Sequence, residues 1–174
     1  MNVIEAIKTR KSIRHFTDQK LTEEQIHTIL EAGMSGPSAK NEKPFDFIVI
    51  TDHDKMVQMA DANGHPFADA LQEAACAGLV CGNMSRLKHA HEGMWVLDAS
   101  AAMQNMTLAA WELGIGSVWL GVYPIPERMA GQKALFELPE GIIPHSILAL
   151  GTMVKYPSRE KITWYEDRIH REQW

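Results

Sequence analysis

The segment Arg10-Lys11-Ser12-Ile13-Arg14 carries the strongest signal in this sequence. In an extended chain, side chains two residues apart point to the same face, so Arg10, Ser12 and Arg14 would lie together. Two guanidinium forks and a hydroxyl group on one face suit a phosphate. In a helix, Ser12 would instead point away from both arginines. The helical pattern weakens at Thr9, which favours the extended form, but a solvated basic turn remains an alternative on spacing alone.

Helical patterns lie on both sides of this segment. Upstream, apolar residues within 3–7 predict a short first helix. Downstream, Thr22-Glu23-Glu24-Gln25 has the form of a capping box, and the apolar residues that follow it predict a helix ending at Gly33. Three further helices are predicted, one after Thr51-Asp52, one over about 94–113 ended by Gly114, and one opened by Pro126.

Short apolar stretches between these helices predict four strands, at 45–50, 75–81, 115–120 and 145–150. Helices and strands therefore alternate, with a few short strands around one long helix. This pattern allows either a parallel α/β sheet or a mixed α+β layer. Because no repeat or low-complexity linker interrupts it, we expect residues 1–174 to form a single domain.

Composition limits the class of protein and its partners. The formal net charge of the 174 residues is −5, which does not favour a broad basic surface for nucleic acid. The sequence has no run of ~18 apolar residues, the length that a membrane span needs. Its N-terminus has no basic segment followed by a long apolar stretch, as a signal peptide would. We therefore expect a cytoplasmic protein without nucleic-acid or membrane partners.

Residues that could carry metal or nucleophilic chemistry form no recognisable motif. On a strand, Cys76 and Cys81 would face opposite ways, so we expect two buried thiols and no mutual disulfide. His89, His91 and Glu92 lack a second pair of ligands at suitable spacing, so no metal site is predicted. Neither a Gly-x-Ser-x-Gly elbow nor a Cys-His arrangement is present, and no catalytic side chain is predicted.

Three further segments suit a ligand with a flat polar ring and an anionic end. In the loop 36–44, the amide of Asn41 can both donate to and accept from a ring such as a flavin, although the composition also fits an ordinary loop. The stretch 114–121 is not a dinucleotide fingerprint, because a helix precedes it and a strand follows. Gly121 would let backbone amides approach a flat ring closely. In the tail, Arg159-Glu160-Lys161 places two cations on one face if it is extended.

Taken in order, these segments resemble the nitroreductase family of FMN-dependent flavoproteins, specifically its short members. The similar segments are Arg10 to Phe16, Gly36 to Pro44, Asp98 to Asn105, Gly114 to Gly121, Leu138 to Gly151 and Arg168 to Trp174. The order and spacing of these segments match the family over nearly the whole chain. The resemblance implies an α+β fold with a mixed, largely antiparallel central sheet flanked by helices, in an intertwined homodimer.

The resemblance also implies a function and a set of FMN-binding residues. FMN would carry hydride from NADH or NADPH to a small acceptor, such as a nitroaromatic or a quinone, by a ping-pong mechanism. Asn63 matches an asparagine of many relatives near the pyrimidine end of the flavin, whereas Pro66 stands where they have lysine. The other residues implied are Arg10, Lys11, Ser12, Arg14, Arg159 and Lys161 at the phosphate, Pro37, Ser38 and Asn41 at the partner subunit's flavin, and Leu120 and Gly121 at the reactive edge of the ring.

Three other functions remain open at this point. A flavoenzyme of the same fold could catalyse reductive dehalogenation or flavin destruction, although the short chain leaves little room for the lid segments that usually mark such enzymes. The chain could instead bind or store flavin without turnover. A cofactor-free binding module would have no affinity for flavin at all.

Overall fold

The computed structural model describes residues 2–158 and 164–174, and its centre is an antiparallel sheet. The strands lie in the order β1-β2-β4-β3, and each neighbouring pair is antiparallel. A parallel bridge joins Ser12 to Ser117 on the edge strand β3. The sheet therefore confirms the mixed, largely antiparallel α+β fold and rules out the parallel alternative. The strands are β1 (Phe45–Ile50), β2 (Cys76–Asn83), β3 (Ile115–Gly121) and β4 (Ile142–Thr152).

The five helices that the sequence pattern predicts are present, and the described residues also form a short helix, Ala70–Glu73, that the pattern does not predict. The capping box is present, since Thr22 Oγ1 accepts the N–H of Gln25 at 3.2 Å and Gln25 Oε1 accepts the N–H of Thr22 at 2.9 Å. The predicted stop at Gly33 is wrong by one residue, because α2 continues to Met34 and Gly33 lies within the helix. The helices are α1 (Val3–Thr9), α2 (Glu23–Met34), α3 (His53–Asn63), α4 (Ala70–Glu73), α5 (Met94–Glu112) and α6 (Pro126–Leu135), with 3₁₀ turns at Ala39–Asn41, Met84–Arg86 and Glu166–Arg168.

Each face of the sheet carries its own apolar core. Neighbouring strand residues point to opposite faces, so Ile147 packs with α3 and α6 while Leu148 packs with α2 and α5. Cys81 and Cys76 are likewise divided between the two cores, and both are free thiols. Burial raises the pKa of Cys76 to about 11 and that of Cys81 to about 12, so both behave as apolar groups. Among the described residues, no helix combines the length and apolar character needed to cross a membrane.

Two glycines let the basic segment lie directly against the sheet. Gly116 and Gly151 are cross-strand partners on β3 and β4. A Cβ atom on Gly116 would lie 2.8 Å from Ile13 Cγ2, and one on Gly151 would lie 2.6 Å from Phe16 Cγ. Because both positions lack a side chain, residues 13–16 can lie in close contact with the backbone of the sheet. This contact fixes the position of the residues between Ile13 and Phe16.

Candidate functional site

The basic segment is extended, as its spacing predicts. The helix α1 ends at Thr9, and Arg10 has φ −53° and ψ 132°. The N–H of Ile13 donates to the carbonyl of Ser117 at 2.8 Å, so the segment runs beside the start of β3. Ser12 and Arg14 line a common open groove of about 470 Å³. The local conformation is therefore the extended one that a phosphate clamp would need.

The basic residues around the groove are not the full set that the sequence predicts. Lys155, which follows β4, lines the groove with Ser12 and Arg14 and adds a cation that the sequence pattern did not reveal. Lys11 turns to the tail, where its Nζ donates to the carbonyl of Ser158 at 2.6 Å. Arg10, which the spacing predicts on the same face as Ser12 and Arg14, does not line the groove. It is half-buried, and this burial lowers the pKa of its guanidinium from its ordinary value. Arg159 and Lys161 lie outside the described residues.

Arg14 packs on an aromatic ring and has an unused hydrogen-bond donor. Its Cζ lies 4.3 Å from the centroid of the Phe67 ring. Its Nε is buried and, within 2–158 and 164–174, has no hydrogen-bond partner. A buried donor without an acceptor costs about 1–3 kcal/mol, so a bound oxyanion would satisfy a need that the protein leaves open.

The far end of β3 forms the second part of the site. Asn63 and Gly121, both predicted as site residues, are in contact, since Asn63 Nδ2 donates to the Gly121 carbonyl at 3.2 Å. Arg128 donates to the same carbonyl at 3.1 Å and was not found from sequence. Leu120 is buried in the core beneath. A Cβ atom added to Gly121 would meet nothing within 4 Å, so open space lies next to the strand at this position.

Asn63 carries an unused acceptor at this end. The residue is 2 % exposed, and its Oδ1 has no hydrogen-bond partner among the described residues. Ser12 pairs with Ser117, four residues before Gly121. At the rise of a β-strand, this separates the groove from the open space at Gly121 by about 13 Å. The geometry thus suits an elongated ligand with an anion at one end and a flat, hydrogen-bonding group at the other.

His145 fixes the chain directly after Gly121 and was missed by sequence reasoning. Its carbonyl accepts the N–H groups of Val122 and Tyr123 at 3.2 and 2.9 Å. Its buried ring contacts the hydroxyls of Ser100 at 3.3 Å and Ser146 at 2.8 Å. Burial lowers the pKa of His145 to about 4, so the imidazole is neutral near pH 7 and acts as a hydrogen-bonding spacer.

The loop 36–44 adopts a conformation that few side chains tolerate. Lys40, Asn41 and Lys43 have φ values of 53°, 56° and 46°, in the left-handed region. Non-glycine residues reach this region at a cost of order 1–3 kcal/mol each and concentrate at functional sites. The N–H of Ala39 donates to Asp98 Oδ1 at 2.9 Å, and Ser38 Oγ accepts the N–H of Lys43 at 3.0 Å. Pro37 and Asn41 remain exposed, whereas Ser38 is turned to its own loop.

Glu42 anchors this loop to a second one. Its carboxylate accepts the N–H groups of Lys88, His89 and Ala90 at 2.9, 2.7 and 3.4 Å. These bonds, led by that from Lys88, hold the pKa of Glu42 below its usual range. His89 thus belongs to a loop anchored through its backbone. In the described part of the chain, no three His, Cys, Asp or Glu side chains are arranged to hold a metal ion.

The loop and the basic segment lie at opposite ends of α5. The loop joins the helix at Asp98, whereas the basic segment follows Thr9, whose hydroxyl accepts the indole N–H of Trp111 at 3.0 Å. Asp98 and Trp111 are thirteen positions apart on this helix, which corresponds to about 20 Å. A single chain therefore does not bring Asn41 to the groove of Ser12 and Arg14.

Comparison with known proteins gives a consistent result. The nitroreductase family model matches residues 7–90 and 69–152. A protein of Methanothermobacter thermautotrophicus, provisionally named an NADH dehydrogenase/NAD(P)H nitroreductase, is 42% identical over 174 residues, which cover 100% of this chain and 88% of the relative. A Parabacteroides distasonis protein with the same provisional name has a crystal structure that matches with a TM-score of 0.90 at 35% identity, covering 98% of each chain.

A third match concerns a structure with a ligand. A Desulfovibrio desulfuricans protein, provisionally described as a nitroreductase and solved in complex with FMN, matches with a TM-score of 0.83 at 28% identity, covering 100% of this chain and 99% of that one. The fold, the family match and the identity over the full length agree. This chain belongs to the nitroreductase family.

Proposed function

We propose that this chain is an FMN-dependent oxidoreductase that moves hydride from NADH or NADPH to a small organic acceptor, such as a nitroaromatic or a quinone. The observation that carries this proposal is the cationic groove lined by Ser12, Lys155 and Arg14, whose Nε is unsatisfied, about 13 Å along β3 from the open space at Gly121. The name of the M. thermautotrophicus relative supports the donor, and the FMN complex of the D. desulfuricans protein supports the cofactor.

The residues present fit FMN at both ends. Ser12, Arg14 and Lys155 would hold the phosphate, and Arg10, two residues before Ser12, would add positive charge. The free Oδ1 of Asn63 would accept a ring N–H, and Gly121 would admit the ring edge to the backbone. When bound, FMN supplies hydride transfer, which protein side chains do not perform.

The protein's own part is to bind, orient and leave space. The carbonyl of Gly121 accepts hydrogen bonds from both Asn63 and Arg128, which restrains the peptide after it. Leu120 keeps the strand in the core, so the space before Gly121 has a rigid wall. Donor and acceptor would occupy this space in turn, which needs no acid or base from the protein.

Sequential use of one space predicts ping-pong kinetics. With NADH or NADPH as donor and menadione as acceptor, double-reciprocal plots at several acceptor concentrations should be parallel lines. Intersecting lines would mean that both substrates bind together and would contradict the single shared space. Flavin-loaded protein that does not oxidise NAD(P)H with menadione would favour storage, and a colourless protein without flavin affinity would favour a cofactor-free module.

We also propose that the functional unit is a homodimer in which Pro37, Ser38 and Asn41 complete the partner's site. Within one chain this loop lies about 20 Å along α5 from the basic segment. Apolar side chains that could bury against a second copy are exposed on α1, where Val3 is 69 % exposed, and in the tail, where Trp174 is 99 % exposed.

An obligate dimer of this kind commonly buries more than about 2,000 Å². Sedimentation at micromolar concentration is expected to give a dimer, with one FMN for each chain. A monomer that retained its full FMN content would contradict the proposal, because one chain would then suffice to build the site.

A further inference from the structure

Phe67 covers one side of Arg14 without belonging to the core. Its ring is 50 % exposed, and the Cζ of Arg14 lies 4.3 Å from the ring centroid. Single exposed apolar residues are common on protein surfaces and need no explanation of their own. This one is distinguished by its contact with the guanidinium whose Nε has no partner among the described residues.

The turn that carries Phe67 is held by hydrogen bonds of the Phe67 backbone. Its backbone N–H donates to His65 Nδ1 at 3.0 Å, and its carbonyl accepts the N–H of Ala70 at 3.3 Å. The rings of His65 and Phe67 are 5.2 Å apart with an interplanar angle of 47°. The backbone of Phe67 is therefore held by its turn and its ring has two torsions, whereas the side chain of Arg14 has more rotatable bonds.

A guanidinium that packs on a ring keeps its in-plane N–H groups available for an oxyanion. Restricting the side chain before binding also removes part of the entropy cost of ordering it when the anion arrives. Ser12 and Lys155 line the same groove as Arg14. The contact with Phe67 would thus orient the fork of Arg14 for that groove.

We propose that Phe67 is a positioning residue that selects the phosphate of FMN by holding Arg14 in its binding orientation. The inference rests on the proposed function, since it assumes that FMN occupies the groove. Phe67 has no group that could bind phosphate directly. Its effect is therefore confined to ligands with a phosphate and depends on Arg14.

The test compares dissociation constants of full-length apoprotein for FMN and for riboflavin, which lacks the phosphate. Cation–π contacts at exposed to partly buried sites predict that Phe67→Leu reduces the preference for FMN about 3- to 10-fold. Phe67→Tyr should retain the wild-type preference for FMN over riboflavin, because tyrosine keeps the aromatic face. In an Arg14→Ala background, Phe67→Leu should cause no further change in the preference.

A matched control exists elsewhere in the chain. The Nζ of Lys55 lies 5.7 Å from the ring centroid of Phe136, and neither residue lines the groove. Phe136→Leu should therefore leave the FMN-to-riboflavin preference unchanged, whatever it does to stability.

The outcomes separate this inference from the proposed function. Equal loss of both flavins in Phe67→Leu, an unchanged preference, or an additive effect with Arg14→Ala would overturn the role of Phe67. A wild-type protein without affinity for FMN, or without preference for it over riboflavin, would overturn the phosphate clamp itself and this inference with it.

Discussion

Arg14→Ala is expected to weaken FMN binding by at least about tenfold, with little change in the binding of riboflavin. A hydrogen bond to a charged group contributes about 1.5–3 kcal/mol, and about 1.4 kcal/mol corresponds to a factor of ten. The buried Nε of Arg14 has no partner in the described part of the chain, so removing it leaves no new unsatisfied group. The variant should purify partly colourless and regain colour when FMN is added.

A second substitution at the same position tests whether the loss of FMN binding depends on the guanidinium fork. Arg14→Lys keeps the charge but not the planar fork, so an intermediate loss is expected. The measurement is the dissociation constant of each flavin by titration of its fluorescence, with the melting temperature of each apoprotein as a check on folding. Equal losses for FMN and riboflavin would show that Arg14 supports the structure and would contradict the phosphate clamp.

Much of the fold follows from local sequence patterns. The capping box at Thr22, the cap at Asp52 and the proline at 126 specify helix starts through contacts within one turn, and all three are present. The extended form of residues 10–14 was favoured by the weakening of the helical pattern at Thr9, although the spacing of two alone left a basic turn open. What the pattern could not decide was the direction of the strands, since this depends on which strands pair.

Several boundaries differ from their predictions, since β4 covers Ile142–Thr152 where 145–150 is predicted, and the end of α2 shows one physical reason. Glycine commonly ends a helix, but Gly33 is retained in α2 because α5 packs closely against it. A Cβ atom on Gly33 would lie 2.8 Å from Met106 Cγ. A glycine needed for a close approach and one needed for a turn look alike in the sequence, and tertiary packing decides between them.

The site residues that the sequence did not reveal also depend on tertiary contacts. Arg128 reaches the carbonyl of Gly121 from the next helix, Lys155 reaches the groove from the end of β4, and Glu42 binds backbone groups 46 to 48 residues away. Each side chain is an ordinary charged residue in its local context. Its role arises from a contact between distant segments, which neither spacing nor composition encodes.

Gly121→Ala is expected to leave the fold intact while impairing FMN binding and lowering turnover by about 100-fold. A Cβ atom at this position would meet nothing within 4 Å, and the backbone of Gly121 is not in the left-handed region, so the folded chain accommodates alanine. The new methyl group would, however, occupy the space in which the ring edge and the substrate must meet. Reacting atoms must approach to about 3–3.5 Å, and a displacement of about 1 Å can cost a factor of 100.

Gly82→Ala provides the contrasting control, because its Cβ atom would lie 2.4 Å from Trp95 Cε3 in the core. Overpacking of this kind costs about 1–3 kcal/mol, so Gly82→Ala should lower the melting temperature whereas Gly121→Ala should not. Flavin content, turnover with menadione and melting temperature would be measured for both variants. If Gly121→Ala lost stability as Gly82→Ala does, the glycine would serve the fold. If it kept full FMN content and turnover, the ring could not lie against this strand, since the space before Gly121 admits either the methyl group or a closely apposed ring edge.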